Sequence, residues 1–371
     1  MKLTILGFLL LTSCTAYVQQ DPTQVSSKEK YSLSDFLSDD EILNLKVDSI
    51  FNSLNTNSKI AQLLMPAVGN YGIPEDSIIA LIEQQKIGGV LLLNGTKTQF
   101  KNWSEKFENL NSENNNLPFL YSADAEPTLF NRKMKESAPV KTASQLTSIE
   151  DVRIATNIIS DELLATGVNY NFAPVVDVSA NKTVGYRGFG SIPENIIPFS
   201  STFIEETQSR NIIATAKHFP GHGLVTGDTH KSLQTIDGEL RELENYPPLI
   251  EQGVISIMIA HIAVKNNSEY DTKGMPATTS HKIVTELLRD SLEFKGLIVT
   301  DAMNMGGVVN VPNCYVLAID AGCDILLMPK DSQRAHRDLL KTYNNNPQFA
   351  EKVNTASKRV IRAKICLGLI N

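Results

Sequence analysis

The 371-residue sequence has no long apolar run, no dense basic block and little cysteine. No stretch of 18 consecutive apolar residues occurs, which argues against a membrane-spanning helix. The formal net charge is −7 and no five basic residues are consecutive, so nucleic acid is not expected as a partner. Three of the four cysteines (Cys314, Cys323 and Cys366) have spacings that predict neither a metal site nor a disulfide framework, and we expect buried thiols there.

The N-terminal residues differ in composition from the rest of the chain. Residues 1–14, MKLTILGFLLLTSC, combine one lysine, an apolar run and a small residue before Cys14, which is the layout of a lipoprotein-type signal peptide ending at the lipobox cysteine. Residues 15–30 are polar and predict a tether, which leaves residues 31–371 as the folded domain. A lipid on Cys14 would make the protein a membrane-anchored lipoprotein on the periplasmic side or in the cell envelope.

Eight short apolar runs recur after the tether, and helix-like segments separate them. The runs cover residues 61–68, 88–95, 118–124, 168–178, 211–218, 254–262, 296–301 and 324–329. They are nearly continuous in apolar residues, which is typical of parallel strands covered on both faces. Segments 147–167 and 280–296 carry helical apolar stripes, the first with a capping-box pattern at Thr147 and Glu150. This alternation predicts an α/β fold, namely a single (β/α)8 TIM-type barrel, with a doubly wound open sheet as the alternative.

Polar residues follow several of these runs directly. The residues at or just after the carboxyl end of a run are Asp124, Asp177, His218, His261 and Asp301. In a barrel of parallel strands, all carboxyl ends open on one face, where active sites are built. We therefore expect these residues, although far apart in sequence, to converge on one pocket.

Asp301 lies in the stretch GLIVTDAMNMGGV, directly after an apolar run and before a Met- and Gly-rich loop. A carboxylate in that place can act as a nucleophile or as a base. The alternative is that Asp301 caps the N-terminus of the next helix. The residues by themselves leave both interpretations open.

The stretch 217–236, KHFPGHGLVTGDTHKSLQTI, holds three of the six histidines of the chain. Asp228 and His230 are two residues apart, a spacing that lets the carboxylate bind one ring nitrogen and leaves the other free to transfer protons. The alternative is an Asx-turn beside an unrelated surface histidine.

The same stretch contains further groups that bind oxygen-rich ligands. Lys217 and His218 end an apolar run and are expected at a pocket mouth, although a buried core histidine is the alternative at 218. His222 lies in a Pro-Gly-His-Gly turn and is expected only to shape the loop. Zinc binding by His218 and His222 is not expected, because Pro220 and Gly221 exclude the helix that would place the pair on one face.

These stretches together resemble a known family. KHFPGHG, GDTH and GLIVTDAMNMGGV are similar to motifs of glycoside hydrolase family 3, and in particular of its bacterial β-N-acetylglucosaminidases (β-hexosaminidases), which carry an Asp-x-His pair on the loop after strand five. Further similar stretches are FAPVVDV (172–178), YRGFG (186–190), IMIAHIAV (257–264) and AIDAGCDILLMP (318–329). The resemblance extends from about residue 55 to the end of the chain, and it implies the N-terminal-type catalytic barrel of that family.

The resemblance also implies an activity and a set of site residues. It implies a retaining exo-glycosidase that removes terminal β-linked N-acetylglucosamine, from peptidoglycan fragments or chitooligosaccharides, through a covalent glycosyl-Asp intermediate. Asp301 matches the nucleophile, His230 the general acid/base and Asp228 its partner. The implied sugar-binding residues are Asp124, Arg132, Arg187, Lys217 and His218. No cofactor or metal is expected; the expected partners are a carbohydrate substrate and, through the lipid, a membrane, and the expected state is a monomer.

One stretch departs from the family pattern. Where relatives carry Asp-x-Glu followed by glycine or an aromatic residue, this chain reads SADAEPTLFNRK, with Pro127 and Thr128. The departure bears on loop shape and substrate range. The alternatives are therefore a β-glucosidase or β-xylosidase of the same family, a non-catalytic sugar-binding lipoprotein and a metal-dependent hydrolase. A phosphorylase, with phosphate instead of water as the acceptor, is a further alternative.

Overall fold

The computed structural model describes residues 30–178, 181, 183–190 and 193–370. The predicted signal peptide, the lipidation site Cys14 and the tether up to residue 29 lie outside these residues. Within the described ranges, no helix is both long and apolar enough to span a bilayer.

The strands are short and pair in parallel. In the described part of the chain they are β1 (Leu64–Met65), β2 (Ala67–Val68), β3 (Gly89–Leu92), β4 (Gly95–Thr96), β5 (Leu120–Ala123), β6 (Met134–Lys135), β7 (Tyr170–Asn171), β8 (Ile213–Phe219), β9 (Gln234–Asp237), β10 (Ser256–Ile259), β11 (Ile262–Lys265), β12 (Leu297–Thr300) and β13 (Leu326–Leu327). Each predicted apolar run contains at least one of these strands. Two small parallel pairs, β4 with β6 and β9 with β11, stand apart from the main sheet.

The main sheet follows the order of the chain. Among the described residues its strands lie in the order β12–β10–β8–β7–β5–β3–β2, with every neighbouring pair parallel. Only Pro66 separates β2 from β1, which pairs with β13. A parallel bridge between Val299 and Ile325 joins β12 to the residue before β13. The predicted α/β class is confirmed, and the curled, sequentially ordered parallel sheet is consistent with a TIM-like barrel.

Helices separate the strands along the chain. In the described residues they are α1 (Glu41–Ser53), α2 (Thr56–Ala61), α3 (Glu75–Glu83), α4 (Lys97–Glu113), α5 (Phe130–Lys133), α6 (Ile149–Ala165), α7 (Pro193–Ser209), α8 (Tyr246–Gln252), α9 (Cys314–Ala321), α10 (Ser332–Asn345) and α11 (Pro347–Cys366). The segment Lys282–Ser291 is π-helical, and 3-10 turns occur at Leu33–Asp35, Ala143–Gln145, His222–Leu224, Arg241–Asn245 and Ala277–Thr279. Cys314, Cys323 and Cys366 are buried, as predicted.

Helix α6 begins one residue later than the capping pattern predicted. The N-cap is Ser148, whose hydroxyl accepts the backbone N–H of Asp151 at 3.1 Å. Thr147 instead donates its hydroxyl to the Asp151 carboxylate at 3.1 Å. The helix packs against α7, and its buried residues recur every three or four positions, at Val152, Ala155, Ile159 and Leu163.

Apolar side chains cover both faces of the main sheet. In β3, Leu91 belongs to one buried cluster, whereas Val90 and Leu92 belong to another that includes the flanking helices. The cluster of Leu91 also contains Phe51 of α1 and Val360 of α11. Since apolar residues occupy the length of the strands, polar side chains collect where the strands end.

Candidate active site

A pocket of about 820 Å³ opens at the carboxyl ends of the strands. The predicted site residues that line it are Asp124, Arg132, Arg187, Lys217, His218, His230 and Asp301. Asp228 stands just outside the lining and binds His230. The strands explain this convergence, because Asp124 follows β5, Lys217 and His218 lie near the end of β8, and Asp301 follows β12.

Asp177 and His261 lie behind the pocket wall. Asp177 is buried, and its carboxylate is 2.6 Å from Nδ1 of His218 and accepts the backbone N–H of His222 at 2.7 Å. His261 is buried as well, and its Nε2 donates to the carbonyl oxygen of Ala302 at 3.0 Å. The expectation that every strand-end residue reaches the pocket therefore does not hold for these two, because side chains at a strand end can turn to either side of the sheet.

Asp301 presents a half-buried carboxylate to the pocket. Its Oδ1 accepts the backbone N–H of Ala302 at 2.7 Å. Burial would raise the pKa of Asp301, but the imidazoles of His218 and His261 and this N–H outweigh burial and lower it. The group is therefore an anion at neutral pH, as a nucleophile must be. The next helix, α9, has Asn313 as its N-cap, so Asp301 is not a helix cap.

His230 and Asp228 form the predicted pair on an exposed loop. Asp228 Oδ1 accepts the backbone N–H of His230 at 3.0 Å and lies 2.8 Å from Nδ1 of the ring. The Asx-turn and the carboxylate–imidazole pair, which the sequence left as alternatives, thus occur together. Burial would raise the pKa of Asp228, but the bonds from His230 lower it. The His230 ring is 60% exposed, and in the described structure its Nε2 makes no hydrogen bond, which leaves that nitrogen free to transfer a proton.

Two acidic side chains on the opposite wall are held by cations. Lys217 Nζ lies 2.7 Å from Oδ1 of Asp124 and 2.5 Å from Oε1 of Glu126. Lys133 forms a close ion pair with the other oxygen of Asp124. Arg187 binds Glu126 with two parallel bonds, from Nε to Oε2 at 2.8 Å and from Nη2 to Oε1 at 2.5 Å. This bidentate geometry fixes the guanidinium in the pocket wall.

These ion pairs hold every group in its charged form. Burial would raise the pKa values of Asp124 and Glu126, but their cationic neighbours hold the pKa of Asp124 well below its usual range and lower that of Glu126 to about 2. Burial would conversely lower the pKa values of Lys217 and Arg187, and the carboxylates raise both. The wall therefore presents fixed charges and hydrogen-bonding groups, which suits a ligand rich in hydroxyl groups.

A second buried group lies behind His218. Glu242 accepts the backbone N–H of Val178 at 2.7 Å and that of Gly223 at 3.0 Å. Burial and the charge of Asp177 raise the pKa of Glu242 to about 9, so this carboxyl is protonated at neutral pH. His218 is thus both things that the sequence allowed, a buried and hydrogen-bonded histidine and a side chain that lines the pocket.

Some site residues were missed by sequence reasoning. Lys133, next to Arg132 in α5, binds Asp124, whereas Arg132 is exposed at the pocket and makes no ion pair or side-chain hydrogen bond with the described residues. Tyr71 and Tyr186 line the pocket with 72% and 52% of their surface exposed. The sequence held no signal for the tyrosines, and adjacency to Arg132 was the signal available for Lys133.

The arrangement is suited to proton transfer and nucleophilic attack on a polar ligand. An anionic carboxylate and a carboxylate-bound imidazole line one pocket, and ion-paired acids and bases form its other wall. In the described ranges, no group of three or more His, Cys, Asp or Glu side chains is placed to hold a metal ion.

Fold and pocket together define an α/β protein of TIM-like type, with its ligand pocket at the carboxyl ends of the parallel strands. More particularly, the chain belongs to the family described as glycosyl hydrolase family 3 N terminal domain, whose model matches residues 55–363. The resemblance drawn from the sequence motifs is thereby confirmed at the level of the family.

Individual relatives add names to this membership. The chain is 28% identical over 273 residues to a beta-N-acetylglucosaminidase/beta-glucosidase of Cellulomonas fimi, covering 68% of this chain and 48% of that protein. It is 31% identical over 216 residues to beta-hexosaminidase A of Pseudoalteromonas piscicida, covering 53% and 36%. The solved glycoside hydrolase family 3 beta-N-acetylglucosaminidase of Paenibacillus sp. str. FPU-7 superposes with a TM-score of 0.79 at 26% identity, covering 85% of this chain and 63% of that one. The chain thus spans less than two thirds of the length of each.

Proposed function

We propose that the protein is a retaining exo-glycosidase that hydrolyses terminal, non-reducing β-linked N-acetylglucosamine. The observation that carries the proposal is that Asp301 and His230 line one pocket, with Asp228 bound to the imidazole. Family membership supports the reaction class, and the names of the relatives, beta-N-acetylglucosaminidase and beta-hexosaminidase, support the sugar.

The proposed reaction has two displacement steps at the anomeric carbon C1. In the first, a carboxylate oxygen of Asp301 attacks C1 while Nε2–H of His230 gives its proton to the departing oxygen, so that the glycosidic bond breaks and a glycosyl-Asp ester forms. In the second, Nε2 takes a proton from a water molecule whose oxygen attacks C1 and releases Asp301. Asp228 stabilises the imidazolium present before the first step and after the second.

Substrate hydroxyls are proposed to bind the wall opposite His230. Asp124 retains acceptor capacity beside Lys217, and Arg187 and His218 offer N–H groups, all of them lining the pocket. Because these groups are charged or hydrogen-bonded before the sugar arrives, little reorganisation is needed on binding. Arg132, which has no described partner, supplies a further cation at the pocket.

Broader parts of the proposal concern architecture and cellular context. We propose that the ordered parallel sheet, with its links through β13 and β1, is a single eight-stranded barrel over residues 31–371, and that it acts as a monomer. The lipoprotein-type sequence around Cys14 supports a membrane-anchored enzyme on the periplasmic side or in the cell envelope, where peptidoglycan fragments and chitooligosaccharides are met. No cofactor enters the proposed reaction.

The decisive experiment compares nitrophenol release from the β-N-acetylglucosaminide and the β-glucoside by residues 31–371. We expect release from the N-acetylated substrate. Asp301→Asn should lower kcat by at least about three orders of magnitude, because no nucleophile remains. His230→Ala should lower kcat/KM for a natural disaccharide by about 10²–10⁴-fold, the range for a general acid.

Each alternative has its own signature in this assay. Preference for the glucoside would indicate the β-glucosidase reading, and a glycosyl phosphate product with added phosphate would indicate a phosphorylase. Sensitivity to chelators would point to a metal-dependent hydrolase. Sugar binding without turnover, or normal turnover by Asp301→Asn, would overturn the proposed function.

A further inference from the structure

His222 has no part in the proposed reaction, although its ring lines the pocket. The residue is only 2% exposed, and burial lowers the pKa of the imidazole to about 4, which keeps it neutral. Its Nε2 lies 2.8 Å from Oγ1 of Thr229, and Nδ1 has no described partner. The one described side-chain bond of this histidine therefore goes to the residue that precedes His230.

The opposite side of the same segment is bound by the loop after the nucleophile. Gly306 donates its N–H to the carbonyl oxygen of His230 at 2.9 Å, and Gly307 donates to that of Thr229 at 3.0 Å. A Cβ on Gly306 would stand 2.2 Å from the carbonyl oxygen of Lys231. A Cβ on Gly307 would stand 2.9 Å from Cβ of His261 and 3.0 Å from its carbonyl oxygen. The two backbones can approach this closely because neither glycine has a side chain.

The exposure of His230 gives these bonds their significance. Since 60% of its side chain is in solvent, packing does not hold the ring, and Asp228 belongs to the same loop. The described hydrogen bonds that tie residues 229–230 to other segments are those to His222, Gly306 and Gly307. The position of Nε2 relative to Asp301 must then depend on them.

We propose that Thr229 is a positioning residue, clamped between His222 and the glycine pair of residues 306–307, and that this clamp sets the distance from His230 to Asp301. The inference rests on the proposed function, because it assigns the clamp to proton transfer in that reaction. Gly306 and Gly307 lie on the loop that follows Asp301, so the clamp joins the loops of the nucleophile and of the acid/base directly. A shift of about 1 Å in such a group can cost about 10²-fold in rate.

The test exploits the leaving group. The kcat/KM value reports steps up to departure of the leaving group, and dinitrophenolate departs without a proton, whereas a sugar alcohol does not. Thr229→Val removes the hydroxyl at nearly constant shape and should lower kcat/KM for N,N′-diacetylchitobiose by at least about tenfold. It should leave kcat/KM for the dinitrophenyl β-N-acetylglucosaminide within about twofold of wild type. Thr229→Ser, which keeps the hydroxyl, should restore disaccharide cleavage.

Two further sets of variants separate positioning from folding. Thr207→Val is the matched control, because Thr207 is also fully buried but lies on α7 and its hydroxyl has no described partner. It should change neither substrate. Gly306→Ala attacks the clamp from the other side and should show the same selective loss, larger than that of Gly307→Ala, whose new Cβ meets less close contacts. Should Thr229→Val not fold, this glycine pair decides.

The outcomes distinguish the inference from the function on which it rests. Equal losses on both substrates, or no loss on either, would overturn the clamp while wild-type turnover and its dependence on Asp301 stand. A wild-type protein without turnover, or an active Asp301→Asn variant, would instead overturn the proposed function.

Discussion

Two fully buried lysines lie at opposite ends of the sheet and meet different partners. Lys217, near the carboxyl end of β8, lies 2.7 Å from Asp124 and 2.5 Å from Glu126. Lys364 of α11 lies beneath the amino ends of the strands, where its Nζ donates to Oε1 of Gln62 at 2.5 Å and to the carbonyl oxygen of Gly88 at 2.9 Å. One ammonium faces carboxylates, and the other faces neutral oxygens.

The two pKa values separate accordingly. Burial lowers the pKa of both ammonium groups, but Asp124 and Glu126 reverse this at Lys217 and raise its pKa, whereas the pKa of Lys364 falls to about 7. Burial alone therefore does not set the charge of a buried lysine in this protein. The carboxyl end of the sheet holds compensated charges beside the pocket, and the amino end holds a cation close to its titration point.

The largest effect on stability is expected from Lys217→Met. This change leaves Asp124 and Glu126 together with less positive charge, and breaking a buried ion pair from one side costs about 3–5 kcal/mol. Urea unfolding at pH 7 should show a loss of that size in the free energy of unfolding. Sugar binding should be lost as well, because both carboxylates would shift toward the neutral form.

Lys364→Met is the matched comparison for that loss. It leaves two neutral acceptors without a donor but strands no charge, so the expected cost is smaller, about 1–3 kcal/mol. Catalytic constants should not change, because the site lies at the other end of the strands. Equal losses from the two substitutions would contradict the distinction between the two ends.

The second effect is a pH dependence that belongs to Lys364. Its folded-state pKa is about 7 and its ordinary value is 10.5, so between these pH values the unfolded chain binds more protons than the folded chain. Stability must therefore rise with pH across this window and be constant, for this group, below and above it. The measurement is the free energy of unfolding from pH 6 to pH 10 for wild type minus that for Lys364→Met. A flat difference curve would show that the folded pKa is not lowered.

The strand ends that carry the site were predictable from sequence for a local reason. A strand covered on both faces must be apolar along its length, so an aspartate or lysine where the run stops marks the end of the strand. Asp124, Lys217 and Asp301 were placed in this way, and the structure lines the pocket with all three. Asp177 and His261 carried the same signal, yet both lie behind the wall, because the side of the sheet to which they turn is set by the loops that cover them.

Partners could not be predicted, because they depend on tertiary geometry. In α5, Arg132 and Lys133 are adjacent, and the rotation of the helix decides that Lys133 binds Asp124. Glu126 was recognised as matching the family motif but was given no role, although it binds Arg187 bidentately. A pattern of residue types gives positions along the chain, and such pairings arise between segments far apart in it.

A third and smaller effect concerns Thr128, which departs from the family pattern. Its hydroxyl donates to the carbonyl oxygen of Tyr186 at 3.2 Å and accepts the N–H of Ala143 at 3.0 Å, so it ties the segment that carries Arg187 to a neighbouring turn. Thr128→Val should cost about 1 kcal/mol of stability and raise KM severalfold with little change in kcat. Thr128→Ser keeps the hydroxyl and should behave as wild type. A fall in kcat without a change in KM would speak against this holding role.

The smallest effect on stability is expected from Arg132→Ala, which sharpens the comparison within the site itself. Arg132 lines the pocket and makes no described ion pair, so its removal strands no charge and should change the free energy of unfolding by less than about 0.5 kcal/mol. Because its guanidinium is free to bind the substrate, kcat/KM should fall by about 10- to 100-fold. Arg153→Ala, at an exposed arginine of α6 paired with Glu150 and Glu206, is the control and should leave kinetics unchanged. Lys217 would then hold the site together while Arg132 engages the ligand; a loss of stability as large as that from Lys217→Met would instead show Arg132 to be a structural cation.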